Sequence, residues 1–93
     1  MTSPGTPDRP RARTDVVLRQ LDDDWVVYDP KRDRLHALNL SAALVWSHCT
    51  GTYDAEQIAH AVGSAFNPTR PGSEILGEVQ ASLARFHAEG LLE

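Results

Sequence analysis

Residues 34–46, RLHALNLSAALVW, decide how this chain folds. The hydrophobic period switches there from two to about 3.6, and the switch falls at Asn39. Arg34-Leu35-His36-Ala37-Leu38 reads as a short strand. Leu40, Ala43, Leu44 and Trp46 then form the apolar face of a helix. Asn39 or Ser41 stands where an N-cap is needed, with a side-chain oxygen for the helix's orphan amides. A strand that runs straight into a helix is short and lies at a sheet edge. An open edge invites pairing with another chain, so it is either covered or used.

Working outward, two further strands precede this junction. Val16 to Leu21 is rich in β-branched and apolar residues, and Trp25-Val26-Val27-Tyr28-Asp29 is the strongest strand signal in the chain. Asp22-Asp23-Asp24 and Pro30-Lys31-Arg32-Asp33 supply the turns, so the three strands form an antiparallel meander. Three helices follow. The first runs from about Ser41 to His48 and is stopped at Thr50-Gly51. The second runs from about Asp54 to Phe66, capped by Asp54 or Thr52, with Ile58, Ala59, Val62, Ala65 and Phe66 inward. A turn-rich segment, Asn67 to Gly72, separates it from a third helix over about Ser73–Glu89. Ser73 is the candidate cap, and Ile75, Leu76, Val79, Leu83 and Phe86 make the stripe. Gly90 is the C′ candidate, with Leu91-Leu92 folding back. The predicted class is α+β: a three-stranded antiparallel sheet followed by three helices.

The totals bound what this domain can do. Ninety-three residues suit one domain. A chain this size buries only roughly 60–65% of its unfolded surface, enough for one modest core. Residues 1–13, with Pro4, Pro7, Pro10 and several Arg, carry no apolar pattern beyond Ala12. They read as a disordered arm, leaving residues 14–93 as the domain. No apolar run approaches the about 18 residues of a transmembrane helix, and the N-terminus lacks the apolar core of a secretory signal. Cys49 is alone, which forbids an intrachain disulfide and fits a reducing cytoplasm.

Catalysis and cofactors find no support in the motifs. His36, His48, His60 and His87 form no metal-ligand spacing, and Cys49 has no histidine partner that the sequence can place. No glycine-rich phosphate loop is present, and Asp22 to Asp24 lacks the distal Glu of a calcium loop. The chain therefore reads as non-enzymatic, with no cofactor and no metal. Charge argues against nucleic acid. The net charge is −4. From Leu35 to Glu93, only Arg70 and Arg85 face six acids, and the first two helices hold no Lys or Arg. A recognition helix without cations would be repelled by phosphates.

From Trp25 onward the chain resembles the PqqD family, the precursor-peptide recognition proteins of ribosomal-peptide modification pathways. The resemblance is carried by Trp25-Val26-Val27-Tyr28-Asp29 and by Leu35-x-x-Leu38-Asn39-x-Ser41-Ala42-Ala43 running to Val45-Trp46. It continues through Thr50-Gly51, Ile58-Ala59 and the terminal Gly90-Leu91-Leu92. The resemblance implies a winged helix-turn-helix-like arrangement and a leader peptide added as a strand beside the third strand. The leader's apolar side chains would enter a groove against the last helix. The partners implied are the precursor peptide and a modifying enzyme, such as a radical S-adenosylmethionine enzyme, a cyclase or a protease.

On that footing the expected peptide-binding residues are Arg34, Leu35, His36, Ala37 and Leu38 on the strand. On the last helix they are Glu78, Val79, Ser82, Leu83, Arg85 and Phe86. Arg34 and His36 project to one face of the strand, Leu35 and Ala37 to the other. Leu83 and Phe86 are expected to form an apolar groove floor. Arg85 and Arg34 would select acidic leader residues, and Glu78 a basic one. The alternatives are a winged-helix DNA-binding regulator, or a protein–protein module in another pathway. The same edge also permits a homodimer.

Overall fold

The computed structural model describes residues 9–65 and 71–93. The element order is the expected one: strands β1 (Val17–Leu21), β2 (Asp24–Asp29) and β3 (Arg34–Leu38), then helices α1 (Leu40–Ser47), α2 (Ala55–Ala65) and α3 (Gly72–Ala88). The sheet is antiparallel in the order β1-β2-β3. Asp22 and Asp33 turn the chain with φ of 56° and 51°, the left-handed conformation that Asp tolerates better than most side chains. Asp24, expected in the first turn, instead opens β2 opposite Leu21.

Local chemistry explains the helix ends. Asn39 caps α1, its Oδ1 accepting from the Ala42 amide at 2.8 Å. Asp54 and Gln57 cap α2 reciprocally: Asp54 Oδ1 accepts from the Gln57 amide at 2.8 Å, and Gln57 Oε1 from the Asp54 amide at 2.9 Å. At α3 the expected cap is displaced. Pro71 is the N-cap, its carbonyl accepting from Glu74 and Ile75, and Ser73 lies inside the first turn. Proline's fixed φ pre-sets the extended N-cap conformation, so the helix starts before Ser73 is reached. At the other end Gly90 has φ +71°. The Leu91 amide bonds to the Phe86 carbonyl and the Gly90 amide to that of His87, a Schellman closure. That closure folds Leu91 into the core, fully buried.

The helices cover one face of the sheet. Val27 and Leu38 from the sheet meet Val45, Trp46, Ile58, Val62, Val79, Leu83, Phe86 and Leu91. Each large side chain buried this way stabilises the fold by about 1.5–3 kcal/mol relative to its exposed state. Trp46 and Phe86 pack edge to face, with centroids 5.2 Å apart and planes at 88°. The face of α1 is rotated from expectation. Val45 is buried and Leu40 is 52% exposed, because Leu40 is the first helical residue at the point where the chain leaves the sheet. In α2, Ala65 is exposed and Phe66 lies outside the described residues.

The N-terminal segment departs most from expectation. Of the predicted arm, residues 1–8 lie outside the described residues. Pro10 to Arg13 are docked instead. The Ala12 and Arg13 amides donate to the carbonyls of Cys49 and Leu91, both at 2.9 Å. The Gly51 and Glu93 amides donate back to Pro10 and Arg11 at 3.0 and 2.8 Å. Arg13 grips the fully buried Asp29 with two hydrogen bonds, at 3.0 and 3.2 Å, and also reaches the Gly90 carbonyl and Asp15. Those bonds from Arg13 hold the Asp29 carboxyl below the ordinary carboxylate range, outweighing the desolvation that would raise it.

Candidate functional site

Among the described residues β3 pairs with β2 on one side only, and its free side faces the C-terminal half of α3. Between them lies a cleft of about 540 Å³, lined by Arg32, Asp33, Arg34, Leu35 and His36 from the sheet side and by Ala88 and Glu89 from the helix. The ladder register sets which side chains look where. His36 lies opposite Val27 and Leu38 opposite Trp25, on the face toward the helices, whereas Leu35 lies opposite Tyr28 and Ala37 opposite Val26 on the outer face. Leu35 is 65% exposed, an apolar side chain with no cover.

A polar cluster bridges the cleft. Arg85 Nη2 donates to the Ala37 carbonyl at 2.9 Å. Its Nε lies 3.4 Å from Glu89 Oε2, which in turn is 3.1 Å from His36 Nδ1. Neither approach gives Oε2 a hydrogen bond of good alignment, and Oε2 and His36 Nε2 are both buried without a hydrogen-bond partner. Arg32 Nη1 donates to the Glu89 carbonyl at 2.8 Å, capping the helix end. A side chain at Gly90 would put a Cβ 2.7 Å from the same guanidinium, so glycine's lack of one lets Arg32 approach. At the cleft's outer lip, Tyr28 donates its hydroxyl hydrogen bond to Asp33, which holds the phenol's pKa above its usual value.

The expected site residues therefore divide. Arg34, Leu35, His36 and Ala37 lie along the open edge, and Arg85 joins them across the cleft. Ser82 and Glu78 are half-buried farther up α3, and Leu38 is buried. Val79, Leu83 and Phe86 present no groove surface. All three are closed into the core, at 0–1% exposure. The periodicity located the apolar stripe correctly, but the stripe is already covered by α1 and α2. Glu89, Arg32, Asp33 and Ala88 were not anticipated. The available signal was the i, i+4 spacing of Arg85 and Glu89, which reads on its own as an ordinary surface pair.

The other reactive groups sit apart from the cleft. Cys49 is buried, donates to the Val45 carbonyl at 3.3 Å, and burial pushes its thiol up to about 12. His48 Nδ1 donates to the Leu44 carbonyl at 2.8 Å, and the ring packs on Tyr53. Among the described residues, no three His, Cys, Asp or Glu side chains converge to hold a metal ion. No described helix is long and apolar enough to cross a membrane.

Comparison with known proteins agrees with this architecture. The sequence profile of Coenzyme PQQ synthesis protein D (PqqD) matches residues 24–92. Two solved structures share the fold. TbiB1 in complex with the TbiA(beta) leader peptide has a TM-score of 0.73 at 18% identity, over 89% of this chain and 94% of that one. Lasso peptide synthetase B1 complexed with the leader peptide has a TM-score of 0.75, also at 18% identity, over 91% and 98%. No curated protein matches. With the profile spanning both the sheet edge and the helix that faces it, this chain belongs to the PqqD family.

Proposed function

We propose that this protein is a non-catalytic adaptor that captures the leader of a ribosomally made precursor peptide and presents it to a modifying enzyme. The observation that carries the reading is β3: a one-sided strand with an exposed edge, facing a cleft of about 540 Å³ against α3, in a fold shared with two leader-bound proteins. An added strand satisfies the edge's backbone groups and gives affinity without demanding a sequence. Side chains at the rim give specificity. Arg34 and Arg85 supply the cationic side, His36 a hydrogen-bonding ring beside them, and Leu35 with Ala37 extends the apolar outer face. Leu38, Ser82 and Glu78 border the path along α3. Val79, Leu83 and Phe86 hold α3 at its distance from β3 from beneath. The partner enzyme is of the kind that acts on peptide backbones or side chains, a radical S-adenosylmethionine enzyme, cyclase or protease, working in the cytoplasm. The open edge also permits a second copy of the chain to pair there, which solution mass measurement would register.

The test is titration with the candidate leader peptides encoded by whatever short reading frames adjoin this gene. A dissociation constant near 1 μM, about −8 kcal/mol, is expected. Ala37→Pro removes a backbone donor from the middle of β3 and should weaken binding more than tenfold in a folded protein. Unchanged affinity in that variant would remove β3 from the binding site.

A further inference from the structure

The carboxylate of Glu89 lies in the cleft beside the open edge of β3. It lies between His36 and Arg85, 3.1 Å from Nδ1 of one and 3.4 Å from Nε of the other, yet its Oε2 makes no well-aligned hydrogen bond. The His36 ring is only 10% exposed and its Nε2 is buried without a partner. Buried polar atoms are almost always hydrogen-bonded, yet this carboxylate is held only by a long bond from Arg85 Nε to its Oε1, at 3.5 Å, and by the two ion-pair approaches to Oε2, so its hold on the cleft is weak. Arg85 meanwhile occupies the Ala37 carbonyl, so a hydrogen-bonding position of the edge strand is held by a side chain.

The surroundings favour an anion. The chain is acidic overall, yet Arg32, Arg34, His36 and Arg85 all meet at this cleft. Of the two acids there, Asp33 accepts from Tyr28, which leaves Glu89 as the counter-charge to Arg85. Its backbone is pinned, through Arg32 on the Glu89 carbonyl and through the Schellman closure behind it. The side chain, a third exposed, can swing out without unwinding the helix.

We propose that Glu89 is an internal stand-in for a carboxylate of the leader. On binding, an Asp or Glu side chain of the leader displaces it from His36 and Arg85. Arg85 releases the Ala37 carbonyl, and a leader amide takes that carbonyl as the strand pairs. The ligand class is thus an extended peptide with an acidic residue in register with Ala37. The inference rests on the leader-capture reading and adds to it an intramolecular competitor that sets charge selectivity.

The experiment titrates wild type, Glu89→Gln and Arg85→Ala with the neighbouring gene's leader peptide. The same proteins are titrated with versions of that peptide in which each Asp or Glu is amidated in turn. Glu89→Gln should bind the unmodified leader about two- to fivefold more tightly, the range of a partly exposed ion pair. That gain should vanish for the peptide amidated at one position. Arg85→Ala should lose the discrimination between the acidic peptide and that same amidated form. Thermal melts near wild type confirm that both variants fold. Equal affinity of Glu89→Gln and wild type, or a gain shared by every amidated peptide, overturns the stand-in role while strand capture survives. A wild type that binds none of the peptides overturns both readings.

Discussion

Two margins of this small sheet-and-helix domain treat their loose ends in opposite ways. At the N-terminal seam, Pro10 to Arg13 run between the end of α1 and the C-terminal tail, and four backbone hydrogen bonds join them to Cys49, Gly51, Leu91 and Glu93. Even the buried carboxylate of Asp29 is satisfied there, by Arg13 and the Lys31 amide. At the β3 margin, among the described residues, no strand pairs with the free side, a carbonyl is held by a side chain, and two buried polar atoms lack hydrogen bonds. The chain can satisfy a margin from within, and at β3 it does not. The sheet's other edge, β1, is open as well, but among the described residues the buried polar atoms without hydrogen bonds both lie at β3, and that sets this edge apart.

Breaking the seam should give the largest effect on stability. Arg13→Met leaves Asp29 buried without its cation, and the melting temperature should fall by about 10 °C. Leader affinity, measured where the variant is folded, should stay within about twofold, since the seam is not the binding margin. The sign of the pH dependence follows from the lowered Asp29 pKa. Its contribution is present above the ordinary carboxylate value of 3.8 and is lost as pH falls through the depressed folded value. The stability gap between wild type and Arg13→Met should therefore narrow on acidification through that range, which melts from pH 7 to pH 3 would show. A gap independent of pH would mean that Arg13 stabilises by packing alone.

A smaller effect belongs to the junction between the two kinds of structure. Asn39→Ala removes the α1 cap next to the end of β3 and should cost about 1 kcal/mol by denaturant unfolding. If the edge and the helix are separable, leader affinity will follow only the fraction folded. A loss of affinity far beyond that would show that the cap also sets the geometry of the edge.

Much of this architecture was readable in the residues. The period change at Asn39 placed β3 at Arg34–Leu38 and narrowed the cap to Asn39 or Ser41, of which the structure uses Asn39, because local hydropathy and local hydrogen bonding act within a few residues. The stripe on α3 was equally visible. What periodicity cannot report is whether an apolar face is already covered, and so Leu83 and Phe86 read as groove floor when they are core. The seam left no trace because backbone hydrogen bonds carry no hydropathy pattern, and Arg13 finds Asp29 only through the tertiary fold. The role of Glu89 was hidden for the same reason. Its pairing with Arg85 is a local spacing, but the neighbour that gives it meaning, His36, comes from a distant strand.

The central claim, that β3 is the working margin, is tested most directly by amide hydrogen exchange with and without the leader peptide. The account predicts slowed exchange over Leu35 to Leu38, with β1, the opposite edge of the same sheet, unchanged. Protection at Val17 to Leu21 instead, or binding with no protection along β3, would contradict it.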